Sequence, residues 1–199
     1  MIINPGEFNK KISILKINKI LNNYTWDEIK DTWAKVEPIS GMNLFSKIGI
    51  GVKSIKFTVR KRDGLTLHNA FRWHEKHYFL TDITDIENKY YEVTAALIEP
   101  KICIINRVGE PTKNDLNRPV YGDAVSISFP GCIIEKYIGY TQNNPMATSE
   151  IRYVVVTPKV IVLDIGELIT IDELTYNVLI CHTLDEFKNE YEVISEGDV

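Results

Sequence analysis

Two histidines three positions apart are the residues in this chain whose types and spacing come nearest to metal chemistry. His74 and His77 stand in "HEKH", with Glu75 between them. Zinc peptidases place two histidines four apart on a helix and use the intervening glutamate as a general base. Here the spacing is three, and "FRWHEKHYFL" has the pattern of a hairpin with Glu75 near its turn. We therefore predict no metal site.

Other catalytic patterns are incomplete. "GIGVKS", residues 49–54, has Val52 where a phosphate-binding loop needs its second glycine. The remaining histidines, His68 and His182, stand near no nucleophile motif. Acidic side chains fall in polar turns between apolar segments, namely Asp82, Asp85, Asp185 and Glu186. The sequence predicts no catalytic residue and no cofactor, so we expect a protein that is not an enzyme.

The cysteines and the apolar runs indicate a reducing compartment. Cys103, Cys132 and Cys181 are odd in number, widely spaced and form no C-x-x-C pair, so buried thiols on strands are expected. The first residues lack the basic-then-apolar pattern of a signal peptide. No apolar run approaches the roughly 20 residues of a membrane helix. We expect synthesis in the cytoplasm and no membrane partner.

Charge is divided unevenly along the chain. Residues 1–100 hold 15 Lys plus Arg against 12 Asp plus Glu, and residues 101–199 hold 8 against 15, so the halves carry +3 and -7. This asymmetry favours two modules with different neighbours over one nucleic-acid binder. The basic residues of the first half are dispersed and not interleaved with aromatics in a single-strand-binding stripe. Non-specific contact with a DNA backbone stays open.

Alternating apolar residues dominate the pattern and predict an all-β protein. In "SIKFTVRK", Ile55, Phe57 and Val59 share one side while Lys56 and Thr58 face the other, which is typical of a half-buried strand. Helical signals are short. The clearest is "TWDEIKD", residues 25–31, with a threonine N-cap and acidic residues in the first turn.

The second half of the chain repeats the order of the first. "KKISILKI" from Lys10 matches "PKICIINR" from Pro100, and "VEP" at Val36 matches "IEK" at Ile134. Tyr78 aligns with Tyr176 at an offset of 98, and the Tyr-Glu-Val at Tyr91 aligns with that at Tyr191 at an offset of 100. Long loops are expected at 18–31 and 106–123, and at 39–53 and 137–150. We predict two tandem small antiparallel β-barrels, or sandwich-like domains, at 1–100 and 101–199.

The first unit resembles a known family. Its segments "TWAKVEPISG", "SIKFTVRKRDGLTLHNAFRWHEKHYFLTDI" and "KYYEVTAALIEP" are similar to those of the head-tail joining (head closure, adaptor or stopper) proteins of tailed bacteriophages. The residues at the matching places are Trp33, Ala34, Pro38, Gly41, Arg60, Arg62 and Tyr78. The second unit is similar more loosely, because Gly131 or Cys132 replaces the tryptophan and Pro158 interrupts the arginine-rich strand end.

The resemblance implies a structural virion protein at the head–tail interface, assembled in the host cytoplasm. Its partners would be copies of itself in a ring, portal or adaptor proteins on the head side, and a tail terminator or tail tube on the other, with contact to packaged DNA left open. The long loops would contact neighbouring subunits or the channel. The candidate residues in them are Met42, Asn43, Leu44, Phe45, Lys47, Ile48, Ile50 and Lys53 in the first unit, and Tyr137, Tyr140, Asn143 and Asn144 in the second.

Two other functions stay open. The chain could be a monomeric β-barrel module that binds nucleic acid or carbohydrate, or an enzyme whose site residues are scattered along the sequence. Association with a portal complex separates the first from a connector protein, because a binding module has no reason to join such a ring.

Overall fold

The computed structural model of the chain describes residues 4–39, 53–109, 112–113, 115–120, 122–136 and 152–196. Within these ranges a single 3-10 turn, Pro5–Glu7, precedes fourteen β-strands. The strands are β1 (Lys10–Ile20), β2 (Asn23–Ile39), β3 (Ser54–Arg60), β4 (Asn69–Trp73), β5 (Lys76–Ile86), β6 (Tyr90–Ile98), β7 (Lys101–Val108), β8 (Thr112–Lys113), β9 (Pro119–Val120), β10 (Ala124–Lys136), β11 (Arg152–Pro158), β12 (Leu168–Ile171), β13 (Leu174–His182) and β14 (Lys188–Ser195). The all-β class expected from the sequence is confirmed.

Twelve of the strands close into two six-stranded antiparallel rings. Barrel 1 has the order β1-β4-β5-β6-β3-β2, and β2 pairs back with β1. Barrel 2 has the order β7-β12-β13-β14-β11-β10, and β10 pairs back with β7. Strands β8 and β9 form a separate hairpin between β7 and β10. Because closure leaves each of these twelve strands paired on both sides, the two barrels have no free sheet edge among them.

Each strand of barrel 1 has a counterpart in barrel 2 with the same pairing register. Phe57 faces Val93 between β3 and β6, and Val155 faces Tyr191 between β11 and β14, so both partners shift by 98 positions. The same shift of 98 relates β4 to β12 and β5 to β13. The shift is 97 from β2 to β10 and 91 from β1 to β7. The two barrels are therefore equivalent residue by residue along these pairings, except between β1 and β2 beyond Ile14, where the register shifts and the β7–β10 pairing does not.

The β4–β5 turn and the bulge in β5 follow the same equivalence. The β4–β5 turn holds His74 and Glu75 at positive φ, and the β12–β13 turn holds two non-glycine residues at positive φ 98 positions later. A register shift after Leu80 in β5 recurs after Val178 in β13. Two-residue turns with positive φ match the right-handed twist of hairpin strands. Shared turn geometry therefore fixes the shared register.

The structure corrects three of the four sequence alignments. Only the match of Tyr78 to Tyr176 is confirmed, since both side chains lie inside their barrels. The offset of 90 between β1 and β7 is wrong by one residue, because buried Ile12 corresponds to buried Cys103, whereas Ile102 is 72% exposed. The offset of 98 between β2 and β10 is also wrong by one. The offset of 100 in the Tyr-Glu-Val match is wrong by two residues, because β6 and β14 are related by a shift of 98. An error of two keeps each residue on the correct face of the strand but gives it the wrong partner on the neighbouring strand.

The predicted helical turn at residues 25–31 and the predicted loop at residues 18–31 are both wrong. These residues belong to β1 and β2, which join through a two-residue turn, Leu21-Asn22, with Leu21 at φ 55°. The pairing of β1 with β2 shifts at Ile14, so that Ile29 is an extra residue in β2. This bulge changes the phase of the apolar pattern and produces the helix-like spacing of Trp26 and Ile29.

Three apolar clusters stabilise the molecule. One fills barrel 1 around Phe57, Phe71 and Tyr78. A second fills barrel 2 around Phe129 and Tyr191. The third lies between the barrels and includes buried residues of β5 and β6 and of β10 and β11, namely Phe79, Ala96, Ile98, Cys132, Val154 and Val156. The outer face of barrel 1 at β5–β6 therefore packs against the outer face of barrel 2 at β10–β11.

The hairpin of β1 and β2 adds a polar contact between the barrels. The amide of Ser128 in β10 donates to the carbonyl of Asn22, and the Ser128 hydroxyl donates to the side-chain oxygen of Asn23 at 2.8 Å. The ring of Tyr24 packs against the core of barrel 2. The tip of this hairpin is thus anchored on the second barrel.

Candidate interaction surfaces

The loop residues proposed from the sequence lie mostly outside the described residues. This applies to Met42, Asn43, Leu44, Phe45, Lys47, Ile48, Ile50, Tyr137, Tyr140, Asn143 and Asn144, and also to Gly49–Val52 of "GIGVKS". Lys53 is described. It is exposed immediately before β3, and its carbonyl accepts a hydrogen bond from the Leu97 amide at 3.0 Å.

The strands that flank these loops are described, and they place both loops at equivalent points. Ile39 at the end of β2 pairs with Ser54 at the start of β3. Lys136 at the end of β10 pairs with Arg152 at the start of β11. These pairs are related by the same shifts of 97 and 98 that relate the strands themselves. Each barrel therefore carries its long insertion between the same two adjacent strands.

The residues that carry the family resemblance gather on β2, β3, β5 and the segment after β3. Ala34 and Tyr78 are buried in the core of barrel 1, whereas Trp33 is 56% exposed on its outer face. The Nη2 of Arg62 donates to the hydroxyl of buried Thr32 at 2.8 Å. Arg60 and Pro38 are exposed, and Gly41 lies outside the described residues. Ala34, Tyr78 and Arg62 thus have structural roles. Among the exposed residues that remain, Trp33 is the large apolar side chain and is a candidate for contact with a partner.

The histidines and acidic residues do not converge on a metal site in the part of the chain that the structure describes. His74 is exposed in a turn, whereas His77 is buried. No group of three or more His, Cys, Asp or Glu among the described residues could hold a metal ion. Asp85 forms an ion pair with Lys61, and Asp185 lies 3.4 Å from the ammonium of Lys188. Asp82 and Asp85 lie in β5 and not in a turn as the sequence predicted, whereas Asp185 and Glu186 lie between β13 and β14. Asp85 and Asp185 each pair with a lysine.

The cysteines are unpaired thiols. Cys103 lies in the core of barrel 2, where burial raises its pKa to about 12. Cys132 is buried in the cluster between the barrels, and Cys181 is half-buried on β13. A thiol with a raised pKa is a poor nucleophile because little thiolate forms at neutral pH. The cysteines therefore act as small apolar side chains in packing.

Two aromatic nitrogens between the barrels are buried without partners. The rings of Trp26 and His77 have centroids 5.1 Å apart, and both pack against Phe79. Trp26 Nε1 and His77 Nε2 form no hydrogen bond within the described part of the chain. Burial, together with the nearby charge of Arg72, lowers the pKa of His77 to about 4. The imidazole is therefore neutral at physiological pH, and it sits in an interface that the sequence did not reveal.

A second unexpected feature is the outer face of β14, whose charged side chains are buried. Lys188, Glu190 and Glu192 are each at most 5% exposed. Lys188 pairs with Glu190, and Glu192 contacts His182 at 3.1 Å and Arg152 at 3.8 Å. A buried charge is tolerated only where it is paired. These contacts make the network part of the structure of barrel 2.

The outer face of β7 shows the opposite of β14: apolar residues are exposed there, whereas charged residues are buried on β14. Ile102 is 72% exposed and Ile104 is 37% exposed. The sequence signal for this is "ICII", residues 102–105, in which both faces of one strand are apolar instead of one. An apolar outer face on a closed barrel is a candidate interaction surface.

Comparisons with known proteins do not add a family to this description. Neither a protein-family model nor a curated protein matches the sequence. Among the described residues, no helix has the length and apolar character needed to cross a membrane.

Proposed function

We propose that this chain is a structural protein of the head–tail connector of a tailed bacteriophage, a head closure or adaptor protein that joins the portal complex to the tail. The observation that carries the proposal is the placement of the two long insertions. Each lies between equivalent adjacent strands of two barrels that share one pairing register. Closed barrels bury their own cores and edges, so the outer surfaces and the insertions are left to contact other subunits.

The contact between the barrels supports an assembly role. Phe79 and Ile98 of barrel 1 are buried against Val154 and Val156 of barrel 2, and the hairpin of β1 and β2 adds hydrogen bonds to Ser128. An apolar interface supplemented by hydrogen bonds holds two domains in one orientation. A fixed orientation lets the two insertions be presented at a constant spacing, as successive subunits of a ring require.

The charge division supplies two different surfaces for partners. The half that forms barrel 1 carries +3 and the half that forms barrel 2 carries -7. Complementary potentials orient proteins as they associate and suppress incorrect contacts. We infer copies of this chain in a ring, portal or adaptor proteins on the head side, and a tail terminator or tail tube on the other side.

The proposal is tested by assembly in vitro. DNA-filled heads made without this protein are incubated with the purified chain and then with tails, and joined particles are counted by electron microscopy. We expect the full chain to restore joining. A chain lacking residues 43–49 should fold with an unchanged free energy of unfolding and fail to join. Leu184→Ser, a change at a 99% exposed side chain far from the insertions in sequence, is the control and should join normally.

Two results would count against a connector role. Joining at the normal frequency without the chain would remove the need for it. A strictly monomeric chain that ignores portal complexes but binds single-stranded DNA or an oligosaccharide would favour the binding-module function instead.

A further inference from the structure

The equivalence of the two barrels provides an internal control for the exposed face of β7. We call this surface the β7 face and define it by Ile102, Ile104, Pro130 and Thr170. Ile102 faces Pro130 across β7 and β10. Ile104 faces Thr170 across β7 and β12. The side chains of the two isoleucines are the exposed apolar centre of the surface.

The corresponding surface of barrel 1 is polar or charged at three of its four positions, and Trp33 is the apolar one. The residue pairs at the same register positions are Lys11 with Trp33 and Ser13 with Arg72. Lys11 Nζ lies 2.6 Å from a carboxylate oxygen of Asp31, and the Ser13 hydroxyl donates to the other oxygen at 2.8 Å. Arg72 forms an ion pair with Glu28. Barrel 1 therefore has a hydrogen-bonded ionic network where barrel 2 has the largely exposed Ile102 and the partly exposed Ile104.

This difference shows that the barrel does not require the isoleucines. Barrel 1 closes with the same strand order and register while carrying Lys11 and Ser13 at the positions of Ile102 and Ile104. An isoleucine that stays largely exposed to water, as Ile102 does, gains none of the stabilisation that burial of an apolar side chain provides. A partner that covers the β7 face would supply that burial.

We propose that the partner is a second copy of this chain, which seats its Trp33 on the β7 face. Trp33 is 56% exposed, and tryptophan is the side chain that most often anchors a protein interface. Lys10 on β1 lies beside Trp33, and Glu173 lies in the β12–β13 turn beside the β7 face, whereas Lys11 and Asp172 already form ion pairs with Asp31 and Lys101 within the chain. The opposite charges at the two borders fit the charge division between the halves.

The contact is heterologous, because barrel 2 of one copy meets barrel 1 of the next. Each copy then has one donor and one acceptor surface, and repetition closes into a ring where the rotation permits. The contact is also continuous with the interface inside each chain, since Ser128, which faces Ile104, bonds to Asn22 and Asn23 of the hairpin. This inference rests on the proposed connector function, and it names the two surfaces through which copies of the chain form the connector ring.

Sedimentation of the purified chain over a range of concentrations to about 1 mM tests the contact, since a weak interface has a dissociation constant in that range. The wild-type chain should associate. The variant Ile102→Lys/Ile104→Ser carries the residues that barrel 1 has at these positions, and it should weaken association at least about tenfold, as should Trp33→Ser. Leu184→Ser should associate like the wild type.

Mixing the two variants separates a heterologous contact from a symmetric one. The β7-face variant keeps an intact Trp33, and the Trp33 variant keeps an intact β7 face, so together they should form a one-to-one dimer and nothing larger. Failure of the mixture to associate, normal association of Trp33→Ser, or a wild-type chain that stays monomeric throughout would overturn the proposal. None of these results decides the outcome of the head-joining experiment, because in that experiment the chain binds the portal complex. The two proposals can therefore fail independently.

Discussion

The indole of Trp26 and the imidazole of His77 lie 5.1 Å apart, centroid to centroid, in the interface between the two barrels. They come from β2 and β5, which are not neighbours in the order of barrel 1. Both ring nitrogens that face the interior lack hydrogen-bond partners in the described part of the chain. The stability of the interface therefore depends on an imidazole that carries no charge.

The position of His77 predicts a loss of stability at mildly acidic pH. Burial and the charge of Arg72 lower its pKa to about 4 in the folded protein, from 6.5. The unfolded chain binds the proton more tightly, so the free energy of unfolding falls as the pH drops from 6.5 to 4 and is level for this group above and below that range. The loss amounts to about 3 kcal/mol by the pKa difference. Urea denaturation at several pH values measures it.

Two variants test whether His77 is the cause. His77→Phe removes the titrating group and should flatten the dependence on pH between 6.5 and 4. His74→Gln alters the exposed histidine three positions earlier and should leave that dependence in place. An unchanged slope in His77→Phe would assign the effect to other groups.

Trp26 should tolerate the loss of its nitrogen better than the loss of its ring. Its Nε1 has no acceptor among the described residues, so Trp26→Phe removes an unsatisfied donor and should change the free energy of unfolding by less than about 1 kcal/mol. Trp26→Ala removes the contacts with His77 and Phe79 and should lower it by about 2 kcal/mol or more. A loss of about 2 kcal/mol or more for Trp26→Phe would show that Nε1 has a hydrogen-bond acceptor.

The sequence predicts the strands well and their registers poorly, for a physical reason. Alternation has a period of two, so a shift by two residues is invisible to it, as in the match of Tyr91 to Tyr191. A shift by one is visible only where the two faces of a strand differ. Strand β7 is apolar on both faces, with Ile102 and Ile104 outside and Cys103 and Ile105 inside, and its pattern could not reveal which pair faces the core.

The candidate surfaces were harder to predict, because they depend on contacts between distant segments. His77 has an ordinary hairpin context in the sequence, and it is buried in the structure beside Phe79 and beside Trp26 of the distant strand β2. The bulge at Ile29 is likewise set by pairing with β1. In contrast, the absence of alternation in residues 102–105 is a local signal, and it could have indicated an apolar outer face from the sequence alone.

Gly131 is required by a close approach between β10 and β7. A Cβ at this position would lie 2.7 Å from the sulfur of Cys103, a distance at which either the Cys103 side chain or the backbone must shift. Gly131→Ala should lower the free energy of unfolding by about 1–3 kcal/mol through overpacking. The equivalent residue in barrel 1 is Ala34, so the barrel itself accepts a methyl group and the contact with Cys103 is the cause.

A double-mutant cycle checks this explanation by urea denaturation. Adding Cys103→Ala to Gly131→Ala removes the sulfur, so the double variant should lose less stability than the two single changes combined. Gly122→Ala is the control. A Cβ there would come no closer than 3.9 Å to Gly109, and the change should stay within about 0.5 kcal/mol. Strict additivity at Gly131 and Cys103 would place the strain elsewhere.

The hydroxyl of Tyr191 holds the segment between β11 and β12. It accepts a hydrogen bond from the Leu163 amide at 3.1 Å and donates to the Ile161 carbonyl at 2.9 Å. Burial raises its pKa, so the phenol keeps its proton and continues to donate. Asn189 Nδ2 also donates to the Ile161 carbonyl at 2.7 Å, so Leu163 is the group that depends on Tyr191.

Tyr191→Phe should therefore leave the Leu163 amide buried without an acceptor and lower the free energy of unfolding by about 1–2 kcal/mol. Hydrogen exchange of that amide should accelerate by more than the fall in the global free energy of unfolding explains. The reason is that the segment between β11 and β12 loses its hydrogen bond to the phenol and can open locally. Tyr153→Phe, a change of the same size at a half-buried tyrosine of the same barrel, is the control and should leave the exchange of Leu163 unchanged. Equal exchange rates in the two variants would mean that the segment is held by Asn189 and the packing of Ile161 and Leu163 rather than by the phenol.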